Sequence, residues 1–259
     1  MTENASGVSL TTDGAVGIVT FSRPPQNYFD LPMIEALAEA LERVDRMPEL
    51  RTVLLRSDGK TFCVGAHFTG DEGTGGGTLS DPTDLYRAAA CLFRTRKPIV
   101  VAVQGAAVGG GLGLAMVGDF RVAAETARFS ANFVKLGIHP GFGLTVVLPR
   151  VVGYQQAAML LYSGRRIDGR EALRIGLVDA CVGSGVLIEA SLALAKELAE
   201  GSPLALEATR ATLRAGHANA VSQQLEHEIR EQKTLFPTKD FKEGVQAVAE
   251  RRPAVWTRE

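Results

Sequence analysis

The sequence predicts an α/β fold with a mostly parallel sheet, followed by a helical C-terminal region. Three observations predict it. In the first half of the chain, short apolar runs of strand length alternate with helical periodicities. After residue 142 the helical periodicity takes over almost entirely. Hydrophobic residues make up 46% of the 259 positions, enough to fill a substantial core.

The elements follow in order. Val16–Phe21 reads as a strand that Pro24 and Pro25 end. Asp30 is placed to N-cap a helix with Pro32 in its first turn. Ile34, Leu37, Ala38, Leu41 and Val44 then recur at helical spacing. A strand over 52–56, a helix over 82–95 and a strand over 99–103 come next, the last bounded by Pro98 and Gly105. Two short strands are expected at 119–123 and 127–129. This alternation implies right-handed crossovers and parallel pairing. Helices are then expected at 143–163, 168–175, 185–200, 203–216, 220–236 and 238–250, with one strand at 177–182. The stretch Gly70–Thr78 has no side chains able to build a core, and reads as an active-site flap or a plain surface loop.

Composition excludes several classes. A net charge of −1 gives no electrostatic case for nucleic acid or an anionic membrane as partner. No apolar run reaches the roughly 20 residues of a membrane span, and the polar start of the chain lacks a secretory apolar core. Cys63, Cys91 and Cys181 are odd in number and lack metal-type spacing, which fits a reducing compartment. A cytoplasmic protein is the expectation. The four histidines are scattered, so no metal site is expected. Gly109–Gly113 does not satisfy the dinucleotide fingerprint, and no phosphate-binding Gly-Lys-Ser/Thr loop occurs.

Two glycine segments carry the chemistry. Residues 105–119, Gly-Ala-Ala-Val-Gly-Gly-Gly-Leu-Gly-Leu-Ala-Met-Val-Gly-Asp, run from a buried strand through a glycine turn into a helix. A helix start of this kind leaves backbone N–H groups unpaired. Upstream, Thr61–Phe68 offers further backbone donors beside an apolar wall. Two donors from separate segments converging on one oxygen would form an oxyanion hole.

Phe62-Cys63-Val64-Gly65-Ala66-His67 resembles the first signature of the crotonase (enoyl-CoA hydratase/isomerase) superfamily, and Gln104–Asp119 its second. The resemblance continues through Gly137–Gly143, Leu148–Gly153, Gly176–Asp179 and Asp240–Gly244, so it spans nearly the whole chain. It implies a spiral αβ core over 1–195 and a helical region over 196–259 that makes contacts in a homotrimer or a dimer of trimers. It implies an acyl-CoA substrate, with coenzyme A entering as part of the thioester and no cofactor held permanently. The family stabilises the charged thioester oxygen with two backbone N–H groups, which match Val64 and Gly110 here. Coenzyme A contacts carry over onto Pro25, Gln26, Asn27, Cys63, Val64, Ala66, His67, Phe68 and Gly110.

The same resemblance exposes missing parts. The two glutamates of a family hydratase match Gly113 and Phe133, and the aspartate some relatives carry in a Pro-Gly-x-Gly turn matches Phe142. Neither Gly nor Phe moves a proton, so hydration by the family route is not expected. Phe133 is expected to dry the pocket, and Gly113 to enlarge it and leave room for a water. His139, just before that turn, is the candidate general acid–base, because histidine fills that role most often; the competing reading is a histidine that holds a tight turn. Asp71 and Glu72 read as solvated loop charges, Asp119 as structural, and His217 and His227 as surface or interface residues. The function expected is that of an acyl-CoA-binding family enzyme whose oxyanion hole serves isomerisation, carbon–carbon cleavage or thioester hydrolysis through His139. The alternative is a non-catalytic acyl-CoA carrier or sensor.

Overall fold

The computed structural model describes residues 7–66 and 81–259. The flap expected over Gly70–Thr78, its Asp71 and Glu72, and the site residues His67 and Phe68 lie outside the described residues.

The chain opens with an antiparallel hairpin, β1 (Val8–Asp13) and β2 (Val16–Phe21). The sequence pattern gave no sign of β1, because along it only Val8 is fully buried and the apolar alternation is weak. Helix α1 (Leu31–Arg46) starts where expected, with the Asp30 carboxylate accepting from the Met33 N–H at 3.0 Å. Its inward face is Met33, Ile34, Leu37, Leu41 and Val44. Then come β3 (Thr52–Ser57), α2 (Thr83–Leu92), β4 (Ile99–Val103), β5 (Ala106–Val108), α3 (Gly110–Ala115), β6 (Phe120–Ala124) and β7 (Arg128–Ser130). A 3-10 turn at Asn132–Leu136 leads into α4 (Leu144–Ser163), followed by β8 (Ile167–Asp168), α5 (Gly169–Arg174) and β9 (Ala180–Val182). The chain ends in α6 (Leu187–Ala199), α7 (Pro203–Leu213), α8 (His217–Leu235) and α9 (Lys239–Glu250).

Two sheets result. The larger has the order β1-β2-β3-β4-β6-β9 and is parallel from β2 onward; the smaller is β5-β7-β8. The chain passes from β4 to β5 at Gly105 and from β6 to β7 across 125–127, so each pass adds a strand to both sheets. The β4–β6 and β5–β7 pairs are both parallel. This is the mostly parallel α/β core that the sequence pattern predicts, wound as the family resemblance implies. Strand β9 starts only at Ala180, because Leu177 and Val178 are buried in the core without a strand partner.

Two expectations need adjusting. A boundary at 195/196 falls inside α6, whose Ala195 and Ala199 carbonyls accept from Thr52 Oγ1 and Arg51 Nη1 at the start of β3. Helix α6 therefore belongs to the core. Helix α4 is long and apolar enough to cross a membrane by length and composition alone. It is broken at Gly153 (φ 76°, ψ 157°), and Leu144, Val147, Leu148 and Leu160 pack into the core.

One carboxylate ties the C-terminal helices to the sheet. Asp119 accepts from the Ile99 N–H at 2.9 Å, from Arg210 Nε at 2.9 Å and from Arg214 Nη1 at 2.7 Å. Burial by itself would raise the Asp119 pKa; the Arg210 and Arg214 charges outweigh it and hold the carboxyl below its usual value. The stability this group contributes is thus present above an unfolded carboxyl's pKa and is lost as pH falls through the lower folded value. Replacing it strands two largely buried guanidinium groups. Asp119→Asn is expected to cost about 3–5 kcal/mol in urea denaturation; a loss under about 1 kcal/mol would show that the arginines do not depend on it.

Candidate active site

The first wall of the site is a zipped pair of chain segments. The Cys63 N–H donates to the Ala106 carbonyl at 2.9 Å, and the Val108 N–H donates to the Cys63 carbonyl at 3.0 Å. Cys63 thereby adds to β5 as a parallel bridge opposite Ala107. On its other side the segment is held by the Phe29 N–H, which donates to the Gly65 carbonyl at 3.0 Å. Behind it Phe62 meets Phe21 edge to face, with centroids 5.3 Å apart.

Gly109 turns β5 into α3 at φ 57°, ψ −123°, a conformation that only glycine adopts readily. Two residues on, a Cβ at Gly111 would lie 2.0 Å from the Cys63 carbonyl oxygen, so the close approach of helix and segment requires glycine there. The outcome is contact between the two glycine segments. A Cβ built on Gly65 would be 3.2 Å from the Gly110 nitrogen.

Val64 and Gly110 line one cavity of about 200 Å³. Neither of their N–H groups has an acceptor among the described residues. Two such donors at one cavity can hold an oxygen that carries negative charge. Most of the remaining wall is apolar and includes Phe29, Ala66, Leu85, Phe133, Leu136 and Phe236. Its polar side chains are Tyr28, Tyr86, Asn132 and Gln232, with no carboxylate and no histidine among the described lining residues. Nor do any three His, Cys, Asp or Glu side chains among the described residues group so as to hold a metal ion.

Gly113 does not enlarge the cavity. A Cβ there would lie 2.6 Å from the Phe142 Cβ, so the Phe142 side chain fills the space beside Gly113. Phe142 is almost fully buried at φ 59°, in the left-handed region that costs a non-glycine residue roughly 1–2 kcal/mol. Its ring packs against Phe29 (5.2 Å between centroids) and Tyr86 (6.3 Å).

Helix α8 clamps this turn. The Glu228 carboxylate accepts from the Gly143 N–H at 2.7 Å, from the Thr145 N–H at 3.1 Å and from the Thr145 hydroxyl. Burial pushes Glu228 up to about 7 against the pull of those three donors. One turn later Gln232 donates from Nε2 to the His139 carbonyl at 2.8 Å and accepts from the Tyr86 hydroxyl at 3.2 Å. The contributions of α8 and α9 to the cavity were not visible in the sequence, because they come from residues more than ninety positions beyond the glycine helix.

The other expected site residues separate. Ala66 lines the cavity with Val64 and Gly110. Asn27 is buried behind it, donating to the Asp58 and Thr61 carbonyls and accepting from the Arg23 N–H, so it fixes a loop. Pro25 and Gln26 are exposed and absent from the lining. Cys63 contributes backbone; burial pushes its thiol up to about 12, so it stays protonated. The His139 ring is not part of the lining. Its Nδ1–H donates to the Pro140 carbonyl at 2.7 Å and its ring lies edge-on to His227, so the geometry is that of a turn-holding histidine. What His139 presents to Gln232 is its carbonyl.

Residues 11–259 match the family described as enoyl-CoA hydratase/isomerase. This chain belongs to the enoyl-CoA hydratase/isomerase family. A probable enoyl-CoA hydratase of Bacillus subtilis is 34% identical over 254 residues, covering 95% of this chain and 97% of that one. A carnitinyl-CoA dehydratase of Salmonella typhi is 30% identical, covering 97% and 98%. The crystal structure of an enoyl-CoA hydratase/isomerase from Pseudoalteromonas atlantica superimposes with a TM-score of 0.85 at 30% identity, covering 97% of this chain and all of that one.

Within this family member, two measurements test the packing around the glycine helix. Gly113→Ala is expected to cost about 1–3 kcal/mol by overpacking, and roughly 0.5 kcal/mol or less in a Phe142→Gly background, which removes the Cβ it would otherwise meet. Equal costs in both backgrounds would place Phe142 elsewhere. Glu228 binds a proton in the folded state between pH 4.5 and 7 that an unfolded glutamate releases, so its contribution to stability declines as pH rises through that window. His217, which burial and then the Arg214 and Arg150 charges push down to about 4, acts in the opposite sense. The Glu228 share is therefore read as the difference between the native chain and Glu228→Gln in urea denaturation at stepped pH. A difference that does not change with pH would mean that Glu228 titrates normally.

Proposed function

We propose that the protein binds a short acyl-CoA thioester and stabilises negative charge on its carbonyl oxygen with the Val64 and Gly110 amides. One observation carries this reading: two backbone N–H groups from segments almost fifty residues apart lack acceptors and line the same, mostly apolar cavity. Donors fixed in such a setting act on a developing oxyanion more strongly than water does, and do not need to reorient as the charge forms. The names of the relatives, probable enoyl-CoA hydratase and carnitinyl-CoA dehydratase, support a CoA thioester as the substrate class. Residues 64–66 would run beside the coenzyme A arm. Exposed Leu204 and Leu213 on α7 are apolar side chains that a second copy would cover, which supports self-assembly into the homotrimer or dimer of trimers.

The chemistry after polarisation differs from carboxylate-driven hydration. Positions 113, 133 and 142 carry Gly, Phe and Phe, and the described lining holds no carboxylate or histidine. The reactions that suit this wall need the oxyanion donors more than a fixed base: isomerisation, carbon–carbon cleavage or thioester hydrolysis. The same observation favours a second reading, an acyl-CoA carrier or sensor in which the donors only hold the thioester.

Binding of cinnamoyl-CoA is the test, since its enoyl absorbance moves to longer wavelength when its carbonyl is polarised. A red shift is expected on saturation. Val64→Pro, which removes one N–H, should diminish the shift while binding persists, and should lower kcat for any thioester turned over by about 10²–10³-fold. Saturable binding with no shift would defeat the oxyanion reading. A panel of enoyl-, 3-oxoacyl- and saturated acyl-CoA thioesters separates the two functions: binding without turnover of any member selects the carrier.

A further inference from the structure

Hydrogen-bond accounting inside the cavity leaves one side chain over. Of the polar lining residues, Tyr86 donates to Gln232, and Gln232 donates to the His139 carbonyl. Tyr28 is engaged as well. The side-chain amide of Asn132 has no hydrogen-bond partner among the described residues. It stands in the 3-10 turn that follows β7, half-buried, beside Phe133.

Its position is specific. The Asn132 Oδ1 lies 3.2 Å from where a Cβ on Gly109 would sit, and Gly109 directly precedes the unpaired Gly110 amide. Beside the backbone amides of Val64 and Gly110, the amide of Asn132 is therefore the polar side chain of the described lining that is left without a partner. Tyr86 and Gln232 pair with each other, and, Tyr28 aside, the other described side chains of the lining are apolar. An acyl thioester whose carbonyl oxygen sits on the two backbone donors would carry its first few carbons past Asn132. A primary amide both donates and accepts, which matches a hydroxyl. It has no titratable proton, so it can hold such a group but not act as acid or base toward it.

We propose that the Asn132 amide is the specificity-determining contact of this cavity, selecting acyl-CoA thioesters that carry a hydroxyl close to the thioester carbonyl. The proposal rests on the acyl-CoA reading above. An amide left unsatisfied against an apolar chain disfavours that ligand, and the same amide paired with a hydroxyl favours the other. Phe133 sharpens the discrimination by removing competing polar groups from the adjoining wall.

The test is calorimetric titration of the full chain with 3-hydroxybutyryl-CoA and with butyryl-CoA. The native protein is expected to bind the hydroxylated thioester about tenfold more tightly, the equivalent of one good hydrogen bond. In Asn132→Leu, of similar volume and without polar atoms, that preference should vanish while butyryl-CoA affinity stays within about threefold. Asn132→Ala, checked for an unchanged urea midpoint, guards against a folding artefact of the leucine. A preference that survives both substitutions, or a native protein that binds the two thioesters equally, overturns the role of Asn132 and leaves the acyl-CoA reading standing. Failure of the native chain to bind either thioester overturns the acyl-CoA reading itself, and this proposal with it.

Discussion

Two backbone hydrogen bonds decide whether this molecule has a site at all. They join Cys63 to Ala106 and Val108, and so splice a loop onto a three-residue strand. Without that splice the 62–66 segment would be a surface connection and its amides would face water. With it, the loop runs parallel to β5 up to the point where Gly109 turns the chain into α3. The glycines follow from this geometry. The backbone atoms of the two segments approach so closely that a side chain at 111 would overlap the Cys63 carbonyl, and one at 65 would press on the Gly110 nitrogen and the Val108 carbonyl at 3.2 Å. Apolar packing of Phe62 on Phe21 and of Phe29 on Phe142 secures the splice from behind and in front. The site is thus a product of main-chain pairing, with side chains acting mainly as walls.

The opposite wall is governed by a different economy. Phe142 occupies a left-handed backbone conformation and lies over the glycine helix where a side chain at 113 would otherwise project. Such strain persists when the surroundings over-determine it. Here the surroundings are Glu228 and Gln232, one helical turn apart on α8, which grip the turn at Gly143 and at the His139 carbonyl. The buried carboxylate accepts three hydrogen bonds, which offset part of the cost of taking it out of water. A helix far along the chain therefore sets the shape of a turn that caps the cavity. This also explains why the C-terminal helices cannot be a detachable appendage: they supply Gln232, Phe236, Val245 and Val248 to the cavity itself.

What could be read from the sequence follows the same division. The alternation of strands and helices was legible because the strands are short apolar runs punctuated by Gly and Pro, and because Asp30 and the periodic Ile34, Leu37, Leu41 and Val44 are local signals; the spiral came from the family resemblance alone. The glycine signatures marked the two segments that meet, since glycine at a close backbone approach leaves a mark on the sequence whatever the fold around it. Strand β1 was missed because an edge strand with one fully buried side chain has little periodicity to show. The role of Gly113 was misjudged for a related reason. A missing side chain in one segment looks like empty space until the segment that fills it, nearly thirty residues on, is in place. His139 drew notice as a residue type, yet its ring was taken up by the Pro140 carbonyl, and only the folded turn decides which end of a residue faces a cavity. Asn132 and Tyr86 gave no signal, since a polar residue at one position becomes informative only when its neighbours' hydrogen bonds can be counted.

The chemistry of the cavity is then a matter of what it lacks around what it keeps. Polarising a thioester oxygen and moving a proton are separable tasks: the first needs fixed dipoles, the second a group that changes its protonation state. The described wall offers the dipoles and no such group. Tyr86 does not supply it, because burial and then the nearby Glu228 charge push its phenol upward, away from neutrality, so it neither ionises nor serves as a base. Glu228, which burial pushes up to about 7, stands behind this wall, and its oxygens are spent on Gly143 and Thr145. The described wall is therefore built to hold charge in place and not to move a proton.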